Sequence, residues 1–469
     1  MNKKQTRGRF TGSLGFVLSA AGSAVGLGNI WRFPYLAAKD GGGTFLLFYL
    51  ILVLTFGFTL LTTEIAIGRK TGQSPLTAYR KLQPKMGWLG LIACLIPMLI
   101  LPYYSVIGGW VLKYLATYLT GGAQAAVDGN YFTGFITSIW SPILWFLIFL
   151  GATLFVVYKG VDAGIERMSK ILMPVLLVLI LCISCFSLTL SHTDDSGVTR
   201  TGLQGLLVYV VPNFDGMTLR KFLVILTDAM GQLFYSISVA MGIMITYGSY
   251  VKKETNLVKS VNQIEIFDTV VAFLAGMMII PAVFIFSGTE GMSAGPTLMF
   301  QSLPKVFGAM GSIGVVVGIV FFVTVAFAAL TSSVSIMEAI VSSAMDKFHI
   351  SRQKACIAVT RITLGMGLAV CLGYNLLYFE AVLPNTPAGK NAQILDILDY
   401  ISNYVMMPVL SIGTCILVGW MIKPKAIIDE VTLGGYRFRR EKLYVVMVKF
   451  VTPLLLFFLL LQALGIIQF

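Results

Sequence analysis

Charge is what this sequence has least of. Asp, Glu, Lys and Arg make up 12% of its 469 residues, against 57% hydrophobic residues and a mean hydropathy of +0.85. Soluble globular chains carry about 25% charged residues, so that class is excluded. Cysteine is sparse as well. Cys94, Cys182, Cys185, Cys356, Cys371 and Cys415 fall in apolar runs or in segments expected on the cytoplasmic side. Their spacing makes neither a disulfide framework nor a metal-ligand pattern. There are two histidines; His192 lies near Asp194 and Asp195, where a solvated loop is preferred over a metal site. No nucleophile, base and oxyanion donor set stands out, which argues against an enzyme. A cleavable leader and an appended soluble domain are not expected, because the first apolar run itself directs insertion and both tails are short.

Apolar runs are what the chain has in place of charge. About eleven segments are long enough to span a bilayer: 12–38, 42–69, 87–119, 141–159, 167–190, 220–251, 257–287, 311–347, 352–373, 395–422 and 441–467. With the N-terminus inside, the inside segments (the N-terminal tail, 69–85, 159–170, 252–259, 347–361 and 423–449) hold 4, 5, 3, 3, 4 and 7 of the 34 Lys and Arg. That bias places the N-terminus in the cytoplasm and the C-terminus outside. It also accounts for the net charge of +13 without a nucleic-acid partner, the reading such a charge would invite in a soluble protein. The outside loops 120–138 and 191–219 look ordinary. Segment 288–310 reads as short helical pieces broken by Pro296 and Pro304, suited to a loop dipping into an outer vestibule.

Two spans are interrupted. In the first, Gly22, Gly26 and Gly28 precede Asn29 and Arg32. Glycine costs about 1 kcal/mol inside a helix relative to alanine, and an arginine in hydrocarbon needs a partner or water. Broken backbone at membrane depth is tolerated where it is buried in protein or lines a wet cavity. The segment is therefore expected to be unwound and to line a binding site; a glycine-rich helix packed closely on a neighbour is the competing reading. In the second, 220–251, the centre reads Gly231-Gln232-Leu233-Phe234-Tyr235-Ser236-Ile237-Ser238-Val239-Ala240-Met241-Gly242, with hydroxyls and small residues where leucines are ordinarily found. Asp268 is a lone acid in the apolar run 264–281, a functional position by default, with a salt bridge near a helix end as the alternative. Thr331 and Ser332 either face the first break or bond a carbonyl one turn back on their own helix.

The run Trp31-Arg32-Phe33-Pro34-Tyr35-Leu36-Ala37, followed by Gly41-Gly42-Gly43-Thr44-Phe45, resembles the signature of the neurotransmitter:sodium symporter family, and most of all its bacterial amino-acid transporters. The resemblance runs from about 7 to 460. One departure is Asp40, where the family pattern has Asn. The implied fold is an all-α integral membrane protein of about eleven transmembrane helices, leucine-transporter-like: a single domain over 1–469 with a 5+5 inverted repeat. The first repeat covers 12–190, the second 220–422, with an extra span at 441–467; spans 1 and 6 are the broken helices. Interrupted helices at matching positions in two halves point to a site between them, a rule drawn from transporters of this same type.

The resemblance implies two sodium sites. One uses Ala24, Asn29, Ser236 and Asp268, completed by the substrate carboxylate; the other uses the carbonyls of Gly22, Val25 and Ala328 with the hydroxyls of Thr331 and Ser332. Animal relatives need chloride beside the first sodium, and some bacterial relatives use a glutamate, at whose position Ala272 stands. Asp268, four residues earlier on the same helix face, supplies a full negative charge in its place, so no chloride requirement is expected. The substrate carboxylate would meet the amides of Leu27 and Gly28, at the positive end of a half-helix, and the Tyr104 hydroxyl. Its ammonium would meet carbonyls of Ala24, Tyr235 and Ser236. Its side chain would fill a pocket of Ile100, Tyr104, Tyr235, Ser238, Met241, Ser332 and Ile336, beside Gly26. Arg32 and Asp399 are expected as an outer gate over Tyr104 and Tyr235. Arg7 and Asp346 are expected as an inner one, near Phe10, Ser249 and Tyr250. Phe10 stands where the family usually has Trp, which would weaken the inner plug. Glu64, the lone acid of the second span, is expected to cap exposed amides of the broken helices.

The function so implied is sodium-coupled symport of a neutral amino acid by alternating access in the inner membrane of a bacterium. A large hydrophobic or aromatic substrate is favoured over a small or branched aliphatic one, since Met241 is flexible and polarizable and Ser238 offers one hydrogen bond. A membrane sensor that binds the amino acid without moving it is the rival from another class, although no signalling domain is visible. Amino-acid substrate and membrane lipid are the expected partners.

Overall fold

The computed structural model describes residues 8–193, 197–288, 297–384 and 391–467. Nine of its described helices are long and apolar enough to cross a membrane, and a tenth crossing is a bent pair. The pair is α1 (Ser13–Ala24) and α2 (Gly28–Lys39), which meet at 54°. The continuous helices follow in order: α3 (Gly43–Thr71), α4 (Pro84–Leu119), α5 (Trp140–Tyr158) and α6 (Val161–Thr189). A second interrupted pair is α7 (Leu219–Ser236) and α8 (Ile243–Gly248). Then come α9 (Leu257–Phe286), α10 (Ser312–Phe348), α11 (Arg352–Leu372), α12 (Ile394–Met421) and α13 (Glu441–Ala463). The bounds fall within a few residues of the expected spans, apart from α6, which begins earlier, at Val161.

The interrupted helices sit inside the bundle and the continuous ones surround them. α1 packs on α6, α9 and α10, and α8 packs on α3. The last contact is close because both helices present glycine. A Cβ on Gly68 would meet the Ile245 carbonyl at 2.0 Å, and one on Gly248 would meet the Ile65 carbonyl at 2.3 Å. Small residues of this kind let membrane helices approach to backbone contact. The outer helices turn apolar side chains outwards instead, such as Leu144, Leu147, Ile148 and Phe155 on α5.

Between α6 and α7 the chain forms a two-stranded antiparallel hairpin, Ser191–Thr193 with Thr199–Thr201, so the fold is not helical throughout. His192 packs against the Phe286 ring, while Asp194 and Asp195 lie outside the described residues. In the segment 297–309, Pro304 stands in the first turn of Leu303–Ala309, where proline starts a helix rather than breaking one. Phe300 packs there on Trp110, Tyr114 and Phe132; Pro296 is outside the described residues.

Candidate functional site

The two interruptions face each other. α1 ends at Ala24, and Val25 turns extended before α2 opens with a wide π-type turn over Gly28–Arg32. Between α7 and α8, Ser238, Ala240 and Gly242 all take positive φ, 52°, 59° and 70°. For a residue with a Cβ this conformation is strained and persists only where its surroundings enforce it. The enforcing contacts are visible. Ser238 Oγ accepts from Ser23 Oγ at 3.1 Å and donates to the Ser23 carbonyl at 2.8 Å. The Ala240 amide donates to Glu64 Oε1 at 2.6 Å. Gln232 Nε2 donates to the Gly28 carbonyl at 3.1 Å, tying α7 to α2. Glu64 therefore caps the second break; the first is held by Ser238 and Gln232.

One cluster of oxygens forms where α10 meets the first break. Ser332 Oγ lies 3.5, 3.0 and 3.3 Å from the carbonyl oxygens of Gly22, Ser23 and Val25. Thr331 Oγ1 lies 3.0 Å from the Ala328 carbonyl and 3.1 Å from that of Phe327. Gly22 sits directly against Thr331, since a Cβ there would lie 3.4 Å from the threonine's. The two hydroxyls thus behave differently: Thr331 bonds back along its own helix and Ser332 reaches across to the break.

A second cluster surrounds Asp268, whose exposure is 0%. Asn29 Nδ2 donates to its Oδ1 at 2.9 Å and to Ser236 Oγ at 3.0 Å. Ser236 Oγ donates to the carboxylate at 2.7–2.8 Å, and the Tyr49 hydroxyl donates to Oδ2 at 3.3 Å. Asp268 has neutral donors on every side and, among the described residues, no ion pair. A buried carboxylate left without a cation is strongly disfavoured, so the cluster is suited to holding one. Tyr49 and Gln232 were not anticipated; each stands on a helix with several other polar residues, so no pattern in the sequence singles it out. Ala24 and Ala272 are fully buried.

Above these clusters the Leu27 amide donates to the Tyr104 hydroxyl at 3.4 Å. Tyr104 and Ser332 converge on Gly26: a Cβ there would lie 3.0 Å from the tyrosine oxygen and 2.7 Å from Ser332 Oγ. Ile100, Tyr104, Ser238, Met241, Ser332 and Ile336 are all buried, and Tyr235 is half-buried.

The outer gate differs from expectation. Arg32 and Asp399 form no ion pair with each other. The Arg32 guanidinium lies 5.0 Å from the centre of the Tyr235 ring and 5.5 Å from that of Tyr404, and donates to the Tyr404 hydroxyl at 3.3 Å. Asp399 Oδ1 accepts from Tyr235, from Tyr103 at 3.1 Å and from Asn403 at 2.6 Å. The tyrosine hydroxyls and the carboxamide occupy the carboxylate that was assigned to Arg32. Tyr103, Asn403 and Tyr404 complete this layer.

At the other end Arg7 lies outside the described residues. Asp346 Oδ2 accepts from the Ser74 amide at 2.7 Å. Phe10 packs edge-on against Tyr247 and Tyr250, with ring centres 5.6 and 6.2 Å away, and Ser249 Oγ donates to the Thr246 carbonyl. Beside them Arg352 pairs with buried Glu338 at 2.6 Å, and Glu338 also accepts from Tyr250. At the outer mouth, buried Asp40 lies 3.9 Å from Lys39 Nζ, which pairs with Asp228 at 2.6 Å. Burial and the neighbouring Asp228 push the Asp40 carboxyl up to about 7, opposed by Lys39 and Lys221.

Comparison with known proteins gives the family and the fold. The profile of the Sodium:neurotransmitter symporter family matches residues 7–127 and 136–469. An uncharacterized sodium-dependent transporter of Bacillus subtilis, YhdH, is 32% identical over 98% of both chains. The human sodium- and chloride-dependent GABA transporter 2 is 26% identical over 92% of this chain and 76% of its own length. Among solved structures, MhsT in complex with L-phenylalanine superposes with a TM-score of 0.84 at 34% identity, covering 97% of this chain and 100% of MhsT. The overall fold is thus the leucine-transporter type.

Proposed function

The chain belongs to the sodium:neurotransmitter symporter family, and from that premise we propose that it couples inward sodium movement to uptake of a neutral, large hydrophobic or aromatic L-amino acid. It is a sodium-dependent symporter and not an enzyme; the substrate, the ion count and the direction are the proposal. The observation that carries it is Asp268, buried among neutral donors and, among the described residues, without an ion-pair partner, against both helix interruptions.

In this reading one sodium sits at Asn29, Ser236, Asp268 and the Ala24 carbonyl. A second sits among the oxygens of Gly22, Val25, Ala328, Thr331 and Ser332. The substrate carboxylate completes the first sodium's shell and takes the Leu27 and Gly28 amides, so ion and substrate stabilise each other's binding. Asp268 supplies the negative charge that chloride supplies elsewhere, so transport is chloride-independent. That a relative of 34% identity was crystallised with L-phenylalanine favours an aromatic substrate. The repeats 12–190 and 220–422 move against each other about the site, with Tyr235 closing it outside and Phe10 inside. The protein lies in a bacterial plasma membrane with the N-terminus cytoplasmic and the C-terminus outside, as the basic segments require.

The test is uptake of labelled amino acid into proteoliposomes with an imposed inward sodium gradient. Accumulation that collapses when sodium is equal on both sides supports symport. Saturable sodium-dependent binding without accumulation would instead identify a sensor.

A further inference from the structure

A cavity of about 330 Å3 opens between the start of α9 and the segment that leads into α13. From α9 it is lined by Lys259 and Asn262, and from the leading segment by Arg437, Arg439 and Arg440; no acidic residue lines it. Both segments belong to the basic set that the charge bias places in the cytoplasm. Arg440 is engaged. It pairs with Glu265 at 2.7 Å, lies 3.6 Å from the centre of the Phe58 ring, and donates to the Leu54 carbonyl at 3.3 Å. These contacts fix the segment to α9 and α3 and hold the cavity in shape. Lys259, Arg437 and Arg439 are exposed, and none of them forms an ion pair among the described residues. Three unpaired cations gathered at one cavity repel one another, so an anion there is stabilising.

The volume is roughly ten times the ~30 Å3 share of one water molecule, which suits a polyatomic headgroup better than a halide. Exposed apolar side chains follow the lining residues along α9. Ile266 and Val270 follow Asn262 at one-turn intervals on α9 and are 63% and 43% exposed. Leu54 on α3, whose carbonyl accepts from Arg440, is 47% exposed. Cations at headgroup level above exposed aliphatic side chains are the two halves of a phospholipid site. We propose that this cavity binds the phosphate of an anionic phospholipid of the cytoplasmic leaflet, its acyl chains lying along Ile266, Val270 and Leu54.

The purified protein tests this by native mass spectrometry with added phosphatidylglycerol or phosphatidylcholine. Wild type is expected to retain phosphatidylglycerol where phosphatidylcholine is lost. The triple variant Lys259→Gln, Arg437→Gln, Arg439→Gln should bind phosphatidylglycerol on the order of a hundredfold more weakly, at about fivefold per cation, while sodium-dependent substrate binding reports that it is folded. The charge-conserving set Lys259→Arg, Arg437→Lys, Arg439→Lys should retain the lipid, and the single change Arg439→Gln should show the fivefold step if the triple variant does not fold. Equal retention of phosphatidylglycerol by wild type and the Gln variants would overturn the proposal, as would equal retention of the two lipids. Displacement of the lipid by inorganic phosphate at the same concentration would overturn it in favour of a soluble-anion site.

Discussion

The Tyr235 hydroxyl donates to the Asp399 carboxylate, while the face of the same ring lies beneath the Arg32 guanidinium at 5.0 Å. One side chain therefore joins the two charged groups of the outer layer. Tyr235→Phe keeps the ring and the cation–π contact and deletes the bond to Asp399, together with the hydroxyl's contacts to Asn403 Nδ2 at 2.9 Å and the Tyr103 hydroxyl at 3.4 Å. A hydrogen bond to a charged group contributes about 1.5–3 kcal/mol, so labelled substrate should leave the variant roughly ten- to a hundredfold faster towards the outside. Release at the wild-type rate would show that Tyr103 and Asn403 hold Asp399 and the closed layer unaided.

The spans and both interruptions were legible in the sequence because membrane depth forbids broken backbone without a purpose; Gly22, Gly26, Gly28 and the Tyr235–Gly242 run announce themselves. Asn29, Ser236 and Asp268 were legible as polar residues in apolar runs. Their partner Tyr49 was not, since a tyrosine on a membrane helix usually reads as packing. The outer layer was misjudged because opposite charges suggest a direct pair, and nothing in the sequence shows that Tyr103, Tyr235 and Asn403 reach Asp399 first. The Glu338–Arg352 pair was missed because the two residues lie on separate helices, and only the turn between α10 and α11 brings them together.

Ser332 and Thr331 should differ in their effect on sodium. Ser332 Oγ faces the carbonyls of the break, whereas Thr331 Oγ1 is engaged with its own helix. Each lost oxygen ligand is worth about 1 kcal/mol, roughly a fivefold change in binding. Ser332→Ala should raise the sodium concentration for half-maximal substrate binding by at least that factor, with Thr331→Ala smaller and Asn29→Ala comparable to Ser332→Ala. Titration of sodium against labelled substrate reads this, and three unchanged midpoints would remove both ion assignments.

Replacing chloride with gluconate should leave wild-type transport unaltered if, as proposed, Asp268 carries the negative charge beside the first sodium. Asp268→Asn should abolish uptake or make it depend on chloride. Uptake by the wild type that fails in gluconate would remove this role from the carboxylate.

Asp40 predicts a pH effect at the outer mouth. Its carboxyl is raised to about 7 in the folded chain from an ordinary value near 3.8. Between those values the folded chain holds more protons than the unfolded one, so stability falls as pH rises through that window and levels off above about 7. Asn imitates the protonated acid. Asp40→Asn should therefore melt higher than wild type by roughly 1–3 °C at pH 8, with a smaller gain at pH 5. Lys39, Asp228 and Lys221 face the same group and remain in both proteins. A gain equal at both pH values would assign the effect to packing rather than titration.

The side-chain pocket carries no charge: Ile100, Tyr104, Tyr235, Ser238, Met241, Ser332 and Ile336 are neutral. Acidic and basic amino acids should be rejected, since burying an unpaired charge costs far more than the contacts return. Met241 stands where the resemblance to the leucine-selective relative implies Phe. An unbranched thioether adapts to a ring and makes favourable sulfur–aromatic contacts, and Ala240 and Gly242 on either side leave the unwound segment room to shift. Ser238 is committed to Ser23 through two hydrogen bonds, so discrimination falls on Met241. In competition at equal concentration, tyrosine and tryptophan should displace a labelled aromatic substrate ahead of leucine, and leucine ahead of alanine. Met241→Phe should move that order towards smaller aliphatic side chains, by roughly tenfold per 1.4 kcal/mol of lost contact. If alanine wins in the wild type, the pocket is smaller than its residues imply; if Met241→Phe leaves the order unchanged, the determinant lies elsewhere in the unwound segment.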